Sequence, residues 1–422
     1  MHSAARWLRV SAGVLILLAL CVACGREARP AATPPAGKSG PAQASAVSAA
    51  PREPDAVEYA IRFAADFDVD EDAVLTQSKV LEKVAQAALR RQETDRAFGI
   101  ARKIRGWERG TACADVARAY ALAGRSNDAH RALLEAEAWC ALIRERTRES
   151  SMGWETGRIR QHIVAARGEL GETNTLEYVQ RPFDNASATA ISSLLAGGTN
   201  QSSAAFLQQL SAIMTNKDFE VQQGLSLGIL QWAGHYSDLS TQAVEEVAAV
   251  VKTSLRFQPE SMQVIVQQEL IRFLAAHGQS AAVEAEIREM EQLARSLPAG
   301  HSRGTALADV AATLRLLDPK RAALLLSEAR EEIGRAAVSA QAYGYAHVAG
   351  RCLMSGETNT ASQLFLQALD AATQMQSNTP RLQRLVEVCA MLAESRLPLA
   401  PTLRRQLDEL VRREEPKPAH VK

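Results

Sequence analysis

From Val57 to Val411 the apolar residues recur at helical spacing, with almost no two-residue alternation and no strand-type cluster of Val, Ile and Thr. Helices are therefore expected along the whole body. The runs are separated by turn residues at Gln92, Gly124, Gly171, Gly198, Gly234, Gly278, Asp318, Gly356 and Arg396. Their intervals range from 27 to 47 residues around a loose period near forty. Short turns make antiparallel helix pairs. Each pair has an apolar face that it cannot bury alone, so stacked pairs form one continuous core. The expected fold is all-α, an α-solenoid of eight or nine antiparallel pairs over residues 55–412.

Part of the pattern occurs twice in nearly identical letters. Arg109-Gly-Thr-Ala-Cys-Ala-Asp-Val116 returns as Arg303-Gly-Thr-Ala-Leu-Ala-Asp-Val310, and Gly171-Glu-Thr-Asn-Thr175 returns as Gly356-Glu-Thr-Asn-Thr360. Around Gly124 stand Cys113, Val116-Ala117, Tyr120, Ala129, Leu133 and Ala136; around Gly356 stand Tyr345, Val348-Ala349, Cys352, Ala361, Phe365 and Ala368. These two units resemble tetratricopeptide repeats, whose pattern is a large residue, an aliphatic-small pair, a large residue, a turn Gly, then Ala, aromatic and Ala. Elsewhere the likeness is looser: Arg167 stands where a large apolar residue belongs, and Pro401 occupies a small-residue position.

The resemblance implies a right-handed superhelix with a concave face lined by the first helix of each pair. There the residue after the aliphatic-small pair points inward, which places Arg118, Arg272 and Gly350 on the wall, with Ala114 and Gln268 one turn earlier. Arginine suits such a wall because its planar fork can hold a carboxylate or a backbone carbonyl. The partner expected there is a protein or an extended peptide. The other reading of Arg118 and Arg272 is local pairing with neighbouring acids.

The N-terminus does not belong to the body. Arg6 and Arg9 precede an almost unbroken apolar run from Val10 to Ala23. Fourteen residues are short of the ~20 needed to span a bilayer, so residues 1–23 read as a signal peptide. The Leu20-Cys-Val-Ala-Cys24-Gly25 context resembles a bacterial lipoprotein signal, which implies lipidation of Cys24 and attachment to the outer membrane or the periplasmic face of the envelope. Simple secretion is the alternative. Residues 24–54, rich in Pro, Ala, Ser and Gly, cannot bury enough surface to offset ordering and read as a disordered tether. Residues 413–422 read as a disordered tail.

Composition narrows the function. Lys+Arg and Asp+Glu are equal at 48 each, which argues against nucleic acid as a partner. The arginines between Arg90 and Arg131 are interleaved with acids, as on a solvated helix face. No catalytic, cofactor-binding or metal-binding residue is assigned. Gly224-Leu-Ser-Leu-Gly228 has the letters of a nucleophile elbow, yet no strand precedes it. The eight histidines lack zinc spacing, and Asp66 to Asp72 lacks the Gly and twelfth-position acid of a calcium loop. Cys113 and Cys140 fall at similar height on the two arms of one hairpin, so an exported protein could link them; two buried thiols are the other reading. Together these features predict an exported, lipid-anchored scaffold and not an enzyme. The alternative is an enzyme of cell-wall or polysaccharide metabolism on a superhelical scaffold, which needs a separate catalytic module.

Overall fold

The computed structural model describes residues 53–67, 71–146, 153–172, 229–230, 233, 239–256 and 258–414. These are all-α: fifteen helices, with no strand among the described residues. In chain order they are α1 (Ala56–Ala65), α2 (Glu71–Arg90), α3 (Thr94–Ala101), α4 (Glu108–Leu122), α5 (Ser126–Arg146), α6 (Gly153–Glu169), α7 (Thr241–Leu255) and α8 (Glu260–Ala276). They continue with α9 (Ser280–Ser296), α10 (His301–Leu314), α11 (Pro319–Gly334), α12 (Val338–Met354), α13 (Thr358–Thr373), α14 (Asn378–Glu394) and α15 (Pro401–Glu414). The last of these carries helix two residues past the boundary expected at 412. The turn residues expected at Gly198 and Gly234 lie outside the described residues, as do Cys24 and Ser226.

The turns explain why the helices stop where they do. Gly124, Gly171, Gly278 and Gly356 all have positive φ, and so do the non-glycine turn residues Gln92 (65°) and Arg396 (55°). At five of these turns the next amide reaches back to a carbonyl five residues earlier: Glu93 to Ala88, Arg125 to Tyr120, Glu172 to Arg167, Gln279 to Leu274 and Glu357 to Cys352, at 2.9–3.1 Å. This is the left-handed C-terminal cap, and it satisfies helix-end carbonyls while reversing the chain. Asp318 works differently: its carboxylate accepts from the Arg321 amide at 3.1 Å, and Pro319 opens α11.

First helices pack on their successors (α2 on α3, α4 on α5, α8 on α9, α10 on α11, α12 on α13) and on the first helices of adjacent pairs. The latter contacts run α2–α4–α6 and α8–α10–α12–α14. Small residues let the axes approach, as along the fully buried Cys113, Ala114, Val116 and Ala117. The glycine of the duplicated Arg-Gly-Thr-Ala motif has a specific reason. A Cβ on Gly110 would lie 2.8 Å from Ile159 Cδ1, and one on Gly304 would lie 2.7 Å from Ile333 Cδ1. Gly344 of α12 meets that same Ile333, at 2.5 Å, so the isoleucine is wedged between two glycines on neighbouring helices.

The last pair breaks the sequential rule. α14 packs chiefly on α1 and α2, from the other end of the body, while its own successor α15 rests on α1 and α13.

Candidate functional site

The charged groups with the most regular arrangement occupy one repeat position. Nine residues before the turn residue stand Lys83, Asp115, His162, Glu269, Asp309, His347 and Glu387, each directly before an apolar pair such as Val116-Ala117 or Val348-Ala349. The pair faces the core, so the preceding side chain is rotated to the edge where adjacent first helices meet. Asp115 of α4 meets His162 Nδ1 of α6 at 2.6 Å, and Asp309 of α10 meets His347 Nε2 of α12 at 2.9 Å. Glu387 of α14 accepts from Lys83 Nζ of α2 at 2.6 Å. Three junctions thus share one acid–base bridge in the same register. The duplicated motif is now legible, since its Asp makes the bridge in both copies.

The best-developed part of this belt lies on α10, α12 and α14. Asp309, only 7% exposed, also accepts from Arg351 Nε at 2.7 Å. Burial pushes its carboxyl up, but His347 and Arg351 together hold it below the usual carboxylate range. Tyr343 stands between two histidines, edge-on to His301 at 5.5 Å and stacked on His347 at 6.2 Å. Burial, with the nearby His347 and Arg384, lowers the pKa of His301. Glu387 is likewise pushed up by burial and brought below the ordinary range by Lys83 and Arg384. These groups answer one another's charge. Among the described residues no three His, Cys, Asp or Glu side chains are placed to hold a metal ion.

The residues expected on an inner wall divide into two sets. Arg118 and Arg272 are exposed, about half of each side chain being open to solvent (50% and 51%), and the space beside Gly350 is empty. Both arginines carry acidic partners: Arg118 reaches Glu169 of α6 at 3.0 Å, and Arg272 pairs with Glu269 on its own helix. Ala114 and Gln268 are not on an open wall. Ala114 is fully buried, and Gln268 is 6% exposed with its amide donating to Thr313 Oγ1 of α10 at 3.3 Å. Four residues before Arg118 and Arg272, they are rotated about 40° from those exposed positions, into the helix–helix junction.

Cys113 and Cys140 are both buried, and no disulfide joins them in the structure. Burial pushes the Cys113 thiol up to about 12, and Glu135 adds to this. The basic stretch is a paired surface: Arg90, Arg96, Arg102, Arg109, Arg118 and Arg125 each meet a carboxylate. Two open clefts, about 610 and 420 Å³, flank the start of the body at Glu53–Asp55. Their charges are also largely engaged, as where Arg96 grips Asp55 at 2.6 Å.

No family model, curated protein or solved structure matches this chain. Among the described residues no helix is long and apolar enough to cross a membrane.

Proposed function

We propose that the protein is an exported, lipid-anchored helical-repeat scaffold that holds a protein or peptide partner along the face formed by its first helices. The observation that carries this reading is the repeated position of Arg118 and Arg272, both half open to solvent on separate first helices. Exposed ion pairs of this kind contribute little to stability, ~0–1 kcal/mol each. Their acids can therefore be exchanged for a partner's carboxylates or carbonyls at small cost. Two such forks far apart in sequence favour an extended ligand over a small molecule. A tetratricopeptide-like solenoid, with its concave wall, fits this use, and the tether and Cys24 lipid would hold it at the envelope surface.

Crosslinking in intact cells, comparing wild type with Arg118→Glu plus Arg272→Glu, tests the surface. The reading expects partners that wild type captures and the double variant loses. Partners captured equally by both would overturn it. Cys24→Ser tests the anchor separately: the variant should move from the membrane to the soluble fraction, and its retention on membranes would end the tether reading.

A further inference from the structure

The contact between the two ends of the body has the form of an ordinary repeat junction. Lys83 and Glu387 stand nine residues before their turn residues, Gln92 and Arg396, as the bridging partners do at the α4–α6 and α10–α12 junctions. Two turns further along, Arg90 of α2 pairs with Glu394 of α14. Beyond them the Arg396 guanidinium donates to the Arg90 carbonyl at 2.8 Å. So α14 and α2 meet in register, although 304 residues separate Lys83 from Glu387.

The second helix of the last pair is supplied from the opposite end of the chain. α1 buries Val57, Tyr59, Ala60 and Phe63 completely, and it lies on α14 where a sequence successor lies in the other pairs. α15, displaced from that place, covers α1 from outside: Tyr59 Oη donates to Asp408 at 2.5 Å, and Arg404 pairs with Glu53. In an ordinary solenoid the two terminal repeats each need a cap for their apolar faces. Here the two end faces cover each other.

We propose that the repeat array closes on itself, with α1 as the clasp, and that the α2–α14 seam is the junction at which it opens. The reason is covalent. The α4–α6 and α10–α12 junctions are backed by a second helix that lies between the two first helices in the chain. At the seam the second helix, α1, continues in the chain only into α2, and it rests on α14 through side chains and buried faces. Opening it releases α1 and α15 together and leaves every other helix pair intact. If the first-helix face is the partner surface, a consequence resting on the function proposed above, a partner without a free end enters through this seam.

The test is amide hydrogen exchange on the full mature chain, read by mass spectrometry. Exchange of contiguous helices in one step marks a local opening unit. α1 and α15 should exchange as one unit, ahead of α4 and α12. Tyr59→Phe, which removes one hydrogen bond to a charged acceptor, should speed that unit about tenfold and leave α10–α12 unchanged. Arg90→Glu should also accelerate it, and adding Glu394→Arg should restore the wild-type rate. The proposal is overturned if α1 exchanges independently of α15, if Tyr59→Phe accelerates all helices alike, or if the charge swap fails to restore protection. None of these outcomes depends on a partner, so failure here is distinct from failure of the Arg118 and Arg272 comparison.

Discussion

Glu108, the first residue of α4, offers the sharpest test of the energetics. Its side chain is fully buried, and neither carboxylate oxygen has a hydrogen-bond partner among the described residues. Burial is the main cause that raises its pKa; its own backbone amide opposes this, while Glu82 and Glu155 push further up and Lys79 pulls down. A raised folded pKa contributes stability below the unfolded value, near 4.3, and that contribution is lost as pH rises through the folded value. Glu108→Gln keeps the shape and removes the titration. The variant should match wild type in acid and exceed it increasingly toward neutral pH. Relieving a buried, unsatisfied ionisable group contributes about 2 kcal/mol. Unfolding roughly 360 residues at ~2.1 cal/mol/K each gives an entropy near 750 cal/mol/K, so Tm should rise by about 3 °C. The assay is thermal unfolding by circular dichroism at 222 nm between pH 4 and pH 8. A variant less stable than wild type at pH 7, with the deficit vanishing in acid, would show instead that the ionised carboxylate is held favourably, with Lys79 the nearest candidate.

Asp309 predicts the opposite pH dependence. Its depressed pKa gives stability present above the unfolded value near 3.9 and lost as pH falls through the folded one. Asp309→Asn should therefore cost about 2–3 kcal/mol at pH 7, by leaving His347 and Arg351 without their acid, and the difference should shrink below pH 4; an equal deficit at all pH values would refute the charge argument. Gly304→Ala should cost about 1–3 kcal/mol because the new methyl meets Ile333. Adding Ile333→Val should return part of that loss in a double-mutant cycle, and strict additivity would contradict the wedge. Cys113, Cys352 and Cys389 are buried, and burial raises all three thiols. They should resist a disulfide reagent in the native protein and react on unfolding, as seen by absorbance; fast native labelling of any of them would contradict this.

Much of the local structure was legible because its causes are local. A left-handed turn after a helix needs only a permissive residue and a reversal of apolar periodicity, which is why even Gln92 and Arg396 could be placed. The acid–base belt was also written in the sequence, as a charged or histidine residue directly before each aliphatic-small pair. The tetratricopeptide pattern does not mark it, because that pattern concerns the pair itself and the residue after it. That pattern marks Arg118 and Arg272 instead, and both side chains are exposed. Gln268, one turn earlier, is not on an open wall, because its side chain enters the junction with α10. The meeting of the two ends of the body could not be read at all. Nothing local in Tyr59 or Glu387 names a partner more than three hundred residues away.

The most direct measurement of the account is a distance between the two ends of the body. Spin labels at Arg62→Cys on α1 and Arg405→Cys on α15, both exposed positions, would report it by pulsed electron resonance. α1 and α15 are in contact, and packed helix axes lie ~8–10 Å apart, so with label linkers a narrow distribution below about 25 Å is expected. The same packing distance, summed over an open array of seven or more stacked pairs, would put the labels upwards of about 50 Å apart. A short, narrow distribution is the result predicted for the closed array; a long or broad one as the main population would contradict it.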